Sequence, residues 1–264
     1  MPHFFLFLLT RCGERRKIKR KRKRKSFGMN IYESDKLLAE YLLFHYGSAG
    51  EILPYEFGPR DALEYPARCV SECVTKTGRA LDLGCAVGRS SFELARTCAE
   101  VIGIDFSRRF IDAADALKTG EIPYRRADEG DLSTPLIARV PAGIDRTRVS
   151  FEVGDAMNLR AGLGSFDVVL MANLIDRLSE PQRCLARLPS LVNTGGQLVI
   201  TSPYTWLEDF TPRASWLSPT LDGLRAALTP YFGLVATREM PFLIREHARK
   251  FQWSVAQATI WIRR

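Results

Sequence analysis

Four residues that can hold a ligand each close a short apolar run. They are Asp82 in Ala80-Leu81-Asp82-Leu83-Gly84, Asp105 in Val101-Ile102-Gly103-Ile104-Asp105, Asp155 after Val153-Gly154, and Asn173 after Val168-Val169-Leu170-Met171-Ala172. Between the first two lies Asp82-Leu83-Gly84-Cys85-Ala86-Val87-Gly88, a D-x-G-x-x-x-G pattern. Gly84 permits a tight turn off a strand, and Gly88 lets the following helix approach a ligand. Such a unit brings backbone against a nucleotide-like molecule, and Asp105 is then placed to bridge two ribose hydroxyls. Asp155 can accept from an adenine amino group, and Phe106 and Ala156, next in the chain, are expected in the same pocket. Asn173 falls where open sheets bind their ligands, and it can line the cofactor's far end or the substrate mouth.

The acid before the glycines narrows the ligand. A dinucleotide turn needs G-x-G-x-x-G, with a pyrophosphate on the helix N-terminus. Here the spacing is G-x-x-x-G, and Asp82 stands two residues before the first glycine. A carboxylate there repels a pyrophosphate but suits a cation, such as the ammonium and sulfonium of S-adenosylmethionine. That cofactor is therefore expected, with Cys85 and Ala86 completing the turn that meets it. Any one of these residues alone reads as a helix cap or turn former. Four in order at successive strand ends read as a site.

These residues must be set out by an alternating scaffold. Strands are expected at 79–83, 100–105, 149–154, 166–172 and 196–202, with helices at 89–98, 108–118 and 180–192. Ser179-Glu180-Pro181 marks a helix start, with proline where its missing N–H does no harm. Alternation of this kind implies an α/β fold, a Rossmann-like seven-stranded, mostly parallel sheet with helices on both faces. Before it, Ser34 caps a helix carrying Leu37, Leu38, Tyr41, Leu42 and His45 until Gly47, and a second helix is expected from Arg60 to Thr75. These N-terminal helices are expected to cover the sheet. Residues 119–148 are polar and too long for a simple connection, and they read as a lid, a binding loop or disorder. A helix near 220–230 and strands near 232–239 and 255–263 complete the chain.

The net charge of +8 is misleading: residues 11–25 hold eleven Lys/Arg against Glu14, a net of +10, which leaves 8 − 10 = −2 for the rest. Residues 1–28 therefore read as a disordered basic extension, with Met29 as the natural beginning of a single domain over 29–264. The run Phe4-Phe5-Leu6-Phe7-Leu8-Leu9 is far short of a membrane span, and it precedes the basic region where a secretory signal would follow it. The basic arm suits a nuclear address or a nucleic-acid contact, but the neutral body argues against nucleic acid as the partner. Six cysteines show neither disulfide nor zinc spacing, so a reducing, cytoplasmic compartment is expected. Cys69 and Cys73 share a helix face without a second pair; they read as packing, and no metal is expected.

Over residues 79–203 the arrangement resembles the class I S-adenosylmethionine-dependent methyltransferases. It departs at Ala86, where that family commonly has glycine. A narrower resemblance, from residue 31 onward, is to the methyltransferase domain at the C-terminus of ovothiol synthases. It is carried by Tyr32-Glu33-Ser34-Asp35-Lys36-Leu37-Leu38, by Tyr41-Leu42-Leu43-Phe44-His45-Tyr46-Gly47, by Ala80 through Arg96, by Thr201-Ser202-Pro203-Tyr204-Thr205-Trp206-Leu207-Glu208, and by Met240 through Ser254. The resemblance implies N-methylation of an imidazole nitrogen of 4-mercaptohistidine. No iron-dependent sulfoxide synthase module precedes the domain here, so C–S bond formation is not expected of this chain.

An amino-acid substrate has a carboxylate, an ammonium and a flat ring, which want an Arg, an acid and aromatic walls. Tyr204 through Phe210 offers all but the Arg, and Trp206, Arg245, Phe251 and Tyr46 are the substrate-binding candidates. Tyr204 and His247 are the candidates for handling the acceptor's proton. His45 lies in register with an apolar face and reads as a packed histidine. Other small-molecule acceptors, or a non-catalytic cofactor-binding scaffold, remain as alternative readings, because fold does not fix substrate. The sequence assigns no oligomeric state.

Overall fold

The computed structural model describes residues 31–264; the expectations about the basic extension, Cys12 and Met29 lie outside that range. Strand β1 (Arg79–Leu83) sits between β2 (Glu100–Asp105) and β6 (Phe166–Ala172), which follows the sequence's order of apolar runs. With β5 (Val149–Val153), β7 (Val192–Ser202), β8 (Phe232–His247) and β9 (Lys250–Arg263) they form one seven-stranded sheet, ordered β5-β2-β1-β6-β7-β9-β8. The first five strands in that order run parallel, while β9 is antiparallel to β7 and β8 to β9.

Both sheet faces are buried, and the two-residue period of the strands divides the core. Ala80, Val168, Leu170 and Val199 face one layer, with α1 (Asp35–Tyr46), α3 (Tyr65–Ser71), α4 (Arg89–Leu94) and α5 (Arg108–Thr119). Leu81, Leu83, Val169, Met171 and Ile200 face the other, with α6 (Pro181–Leu191) and α7 (Thr220–Leu228). Central strands buried on both sides read as continuous apolar runs for this reason. Each fully buried Leu or Val adds about 1.5–3 kcal/mol relative to exposure. Local signals set the helix starts: Ser34 Oγ accepts from Leu37 N at 3.2 Å, and Ser107 Oγ from Phe110 N at 3.2 Å.

Four elements differ from expectation. The helix expected over 60–75 is split, because Glu64 adopts a left-handed φ of 54° and Pro66 starts α3 afresh. A single turn of helix, α2 (Ala49–Ile52), follows α1 and is closed by a capping box between Ser48 and Glu51. Residues 119–148 hold an antiparallel hairpin, β3 (Ile122–Glu129) and β4 (Leu132–Ala138), turning at Gly130 with φ 55°. Its charged outward residues hide the period-two pattern, but Tyr124 and Ala138 are buried in the first core layer. The two tail strands reach much further than expected and meet at the tight turn Ala248-Arg249. Among the described residues no helix is long and apolar enough to cross a membrane.

Candidate active site

The turn after β1 is built by three left-handed residues: Gly84 (φ 82°), Ala86 (φ 48°) and Gly88 (φ 87°). Gly84 N and Cys85 N both donate to Ile104 O, at 2.7 and 3.1 Å, which anchors the turn on β2. The glycines are required by space as well as by φ. A Cβ on Gly88 would meet the Phe151 ring at 2.6 Å, and one on Gly84 would meet Leu174 at 3.1 Å. Ala86, where the resembling family prefers glycine, is a left-handed alanine; its N–H donates to Asp105 Oδ2 at 2.9 Å, which offsets part of the strain. Asp105 Oδ1 accepts from Ser107 N at 2.9 Å, so the carboxylate is fixed by backbone on both sides.

Above this turn opens a cavity of about 390 Å³. Gly84, Cys85, Ala86, Asp105, Phe106, Asp155, Ala156 and Asn173, all expected around the cofactor, line it. Asp155 Oδ1 accepts from Met157 N at 2.8 Å, which orients it at the end of β5. Asn173, at the end of β6, takes a left-handed φ of 52°, and its Oδ1 accepts from Tyr65 Oη at 2.8 Å. Burial, the largest influence, holds the Asp105 carboxyl above the ordinary range against the pull of the Ser107 and Ala86 amides.

Two residues expected around the cofactor do not line the cavity. Asp82 is wholly buried, and its Oδ2 accepts from the Ser90 and Ser91 hydroxyls at 2.7 and 2.6 Å. Through Oδ2 it fastens β1 to α4, while its Oδ1 is buried without a partner. Burial pushes its carboxyl up to about 6, against the opposing pull of those two serines. Gly88 caps α4 and faces Phe151.

The substrate-side candidates also stand elsewhere. Tyr204 Oη donates to Gln257 Oε1 at 2.8 Å across the sheet edge, and burial pushes this phenol up to about 12. The Trp206 indole donates to Thr220 Oγ1 at 2.9 Å and packs on the second core layer. Tyr46 Oη donates to Val87 O at 2.7 Å, which ties α1 to the glycine turn. Arg245 is only 4% exposed; it donates to Glu51 O at 2.7 Å and to Asp128 Oδ1 at 3.2 Å, clamping the β3–β4 hairpin. Phe251 packs edge-on to Tyr55 at 6.0 Å, and His247 Nδ1 accepts from Arg249 N in the tail turn. The long reach of β8 and β9 carries Arg245, His247 and Phe251 away from the strand ends.

Other side chains take the places those were expected to fill. Tyr41, Phe44 and His45 of α1, with Tyr65 of α3, supply aromatic walls, and Tyr32 and Phe210 continue them. Arg177 and Asp209 stand in the same lining. Arg177 Nη1 donates to Asp176 Oδ2 at 3.0 Å and to Thr205 O at 2.7 Å, and Thr205 N donates to Asp176 Oδ2 at 3.0 Å. That small network folds 203–210 back so that Asp209 and Phe210 reach the cavity. Arg177 also lies over the Phe210 ring at 5.2 Å. The aromatic crowding of α1 was visible in sequence, but Arg177 sits in a short irregular turn that carries no pattern.

Residues 81–200 match the family model described as "Methyltransferase domain". Residues 81–200, a little under half of the chain, are thus similar to a methyltransferase domain. A solved S-adenosylmethionine-dependent methyltransferase from Methanosarcina mazei has the same fold, with a TM-score of 0.50 and 18% identity over 73% of this chain and 95% of that one. Among relatives, the ubiquinone biosynthesis O-methyltransferase of Coxiella burnetii is 24% identical over 155 residues, 58% of this chain and 54% of that protein. O-methyltransferase cnsE of Penicillium expansum is 29% identical over 121 residues, 46% of this chain and 36% of that protein. The methyltransferase domain's match thus spans about half the length of the first of these relatives and about a third of the second.

The site's donor set fits the cofactor of this domain class. Asp105 keeps lone pairs toward the cavity for ribose hydroxyls, and Asp155 stands at the next strand end. Asp105, Asp155 and Asp209 outnumber Arg177 as fixed charges in the lining, which favours a cationic ligand over a polyphosphate.

Proposed function

We propose that this domain methylates a flat-ringed amino acid, with an imidazole nitrogen of 4-mercaptohistidine, the step that gives ovothiol, as the acceptor. The observation that carries this reading is the joint presence of Arg177, Asp209 and aromatic walls in one cavity with the glycine turn. A guanidinium pairs with a carboxylate, an acid with an ammonium, and Tyr41, Phe44 and Tyr65 offer faces to a ring. The resemblance of 201–208 and 240–254 to the ovothiol methyltransferase domain supplies the particular acceptor.

When bound, S-adenosylmethionine supplies an electrophilic methyl on a cationic sulfur. The protein's part is to hold, align and dry. Asp105 accepts the ribose hydroxyls, with the Ala86 and Ser107 amides keeping its carboxylate in place. Gly84 and Ala86 let backbone approach closely, and Asn173 and Tyr65 border the acceptor's side. Arg177 and Asp209 set the acceptor's orientation, so its nitrogen lone pair meets the methyl in line. The aromatic walls exclude water from both partners. With S-adenosylmethionine bound, transfer would join that lone pair to the methyl carbon, leave the S–C bonding pair on sulfur and release the ring proton to solvent.

A second reading keeps the mechanism and changes the acceptor. Both relatives are named as O-methyltransferases, which favours a small phenol or acid. Incubating the full-length protein with S-adenosylmethionine and each acceptor separates the two. N-methylated mercaptohistidine above background supports the first reading, and S-adenosylhomocysteine release with phenols alone overturns it. Binding of cofactor without turnover on any acceptor supports a non-catalytic scaffold.

A further inference from the structure

Asp82 is expected to meet the ammonium of a sulfonium cofactor, yet it is sealed against Ser90 and Ser91. His45 is among the side chains that line the cavity, and its carbonyl is tied to Arg89 just after the glycine turn. It is 7% exposed, and its Nδ1 has no hydrogen-bond partner. Buried ring nitrogens are normally paired, so an unpaired one on a side chain of the cavity lining is a candidate for a contact that a ligand completes.

The ring cannot turn away to find another partner. It stacks on Tyr41 with centroids 5.9 Å apart and meets Phe44 edge-on at 5.4 Å. The backbone is pinned too: Arg89 Nη1 donates to His45 O at 2.8 Å, and the neighbouring Tyr46 Oη holds Val87 O. If Asp105 holds the cofactor's ribose, the Ala86 amide bonded to Asp105 would put the amino-acid end toward the glycine turn, and His45 lines the same cavity. Arg177 and Asp209 come from different segments and serve the acceptor.

We propose that His45 hydrogen-bonds the amino-acid end of S-adenosylmethionine and makes the site select cofactors that carry that end; this rests on the cofactor reading above. A neutral imidazole has one N–H and one lone pair, which match a carboxylate and an ammonium. The ring is neutral because burial, and then the Arg89 guanidinium, bring its pKa down to about 3. The phenols of Tyr41 and Tyr46 flank it, and Arg89 is itself paired with Glu93 at 2.8 Å. No further positive charge is thereby placed beside the cationic sulfur.

The test is calorimetric binding to the full-length protein of S-adenosylhomocysteine and of 5′-methylthioadenosine, which keeps the nucleoside but lacks the amino-acid end. His45→Phe should bind S-adenosylhomocysteine about tenfold more weakly and 5′-methylthioadenosine as the wild type does. His45→Gln, which restores a donor and an acceptor, should recover most of the loss. Thermal unfolding of both variants reports their folding. Equal weakening of both ligands by His45→Phe, or of neither, overturns the role, as does an effect on acceptor KM alone. A wild type that binds neither nucleoside overturns the cofactor reading and this role with it.

Discussion

Tyr65 Oη donates to Asn173 Oδ1 at 2.8 Å and lies 2.7 Å from Thr201 Oγ1, so a residue of α3 grips the end of β6 from the opposite side of the cavity floor. Asn173 needs that grip, because its φ of 52° is a left-handed state that asparagine adopts at some cost. Tyr65→Phe removes the hydroxyl and keeps the ring. A stability loss of about 1 kcal/mol is expected in denaturant unfolding. Turnover should fall more than cofactor affinity, since Asn173 borders the acceptor's side.

Asp105, the proposed ribose contact, also organises its own loop. Asp105→Asn should weaken cofactor binding by about 1–3 kcal/mol, read by calorimetry. Asp105→Ala should abolish detectable binding, because the Ala86 amide loses its partner as well. An alanine variant that binds normally would sink the ribose assignment.

Arg177 is predicted to set the acceptor rather than the cofactor. Arg177→Lys keeps a cation near the buried Asp176 carboxylate but loses the planar fork. The expected result is an acceptor KM raised about tenfold with cofactor affinity unchanged.

Arg245 behaves as a structural clamp in this geometry. Arg245→Ala should lower stability by about 1–3 kcal/mol, because Asp128 keeps only Arg126 and Thr134, and Glu51 O loses one of its two donors. Acceptor KM should not change. A large KM effect with unchanged melting would restore the substrate role expected from sequence.

His45 and Asp82 give opposite pH dependences. His45 is lowered from 6.5 to about 3, so its contribution to stability is full above pH 6.5 and is lost as pH falls toward 3. Asp82 is raised from 3.8 to about 6, so its contribution is present below 3.8 and is lost as pH rises through 6. His45→Gln removes the first. Between pH 6.5 and about 4.5 its melting temperature should fall less than that of the wild type.

Much of the parallel sheet was legible because its strands are short apolar runs ended by polar residues, and a strand buried on both faces admits little else. The β3–β4 hairpin was not, because only Tyr124 and Ala138 are fully buried, with Ile122 and Leu136 half-buried among polar and charged neighbours. The tail strands were placed but cut short, at 239 and from 255, since Pro241 and the charged Arg245-Glu246-His247 interrupt the alternation within β8.

By itself, the sequence determined the glycine turn, the carboxylate of Asp105 and the strand-end residues Asp155 and Asn173, because each follows from chemistry within a few residues of chain. Tertiary structure decided which other side chains line the cavity. Asp82 was drawn inward because α4 brings two serine hydroxyls onto it, a contact that an acid before a glycine does not announce. His45, Arg177 and Asp209 reach the cavity from three separate segments, held there by Arg89, Asp176 and the fold of 203–210. Such convergence depends on long-range packing, which no local spacing records.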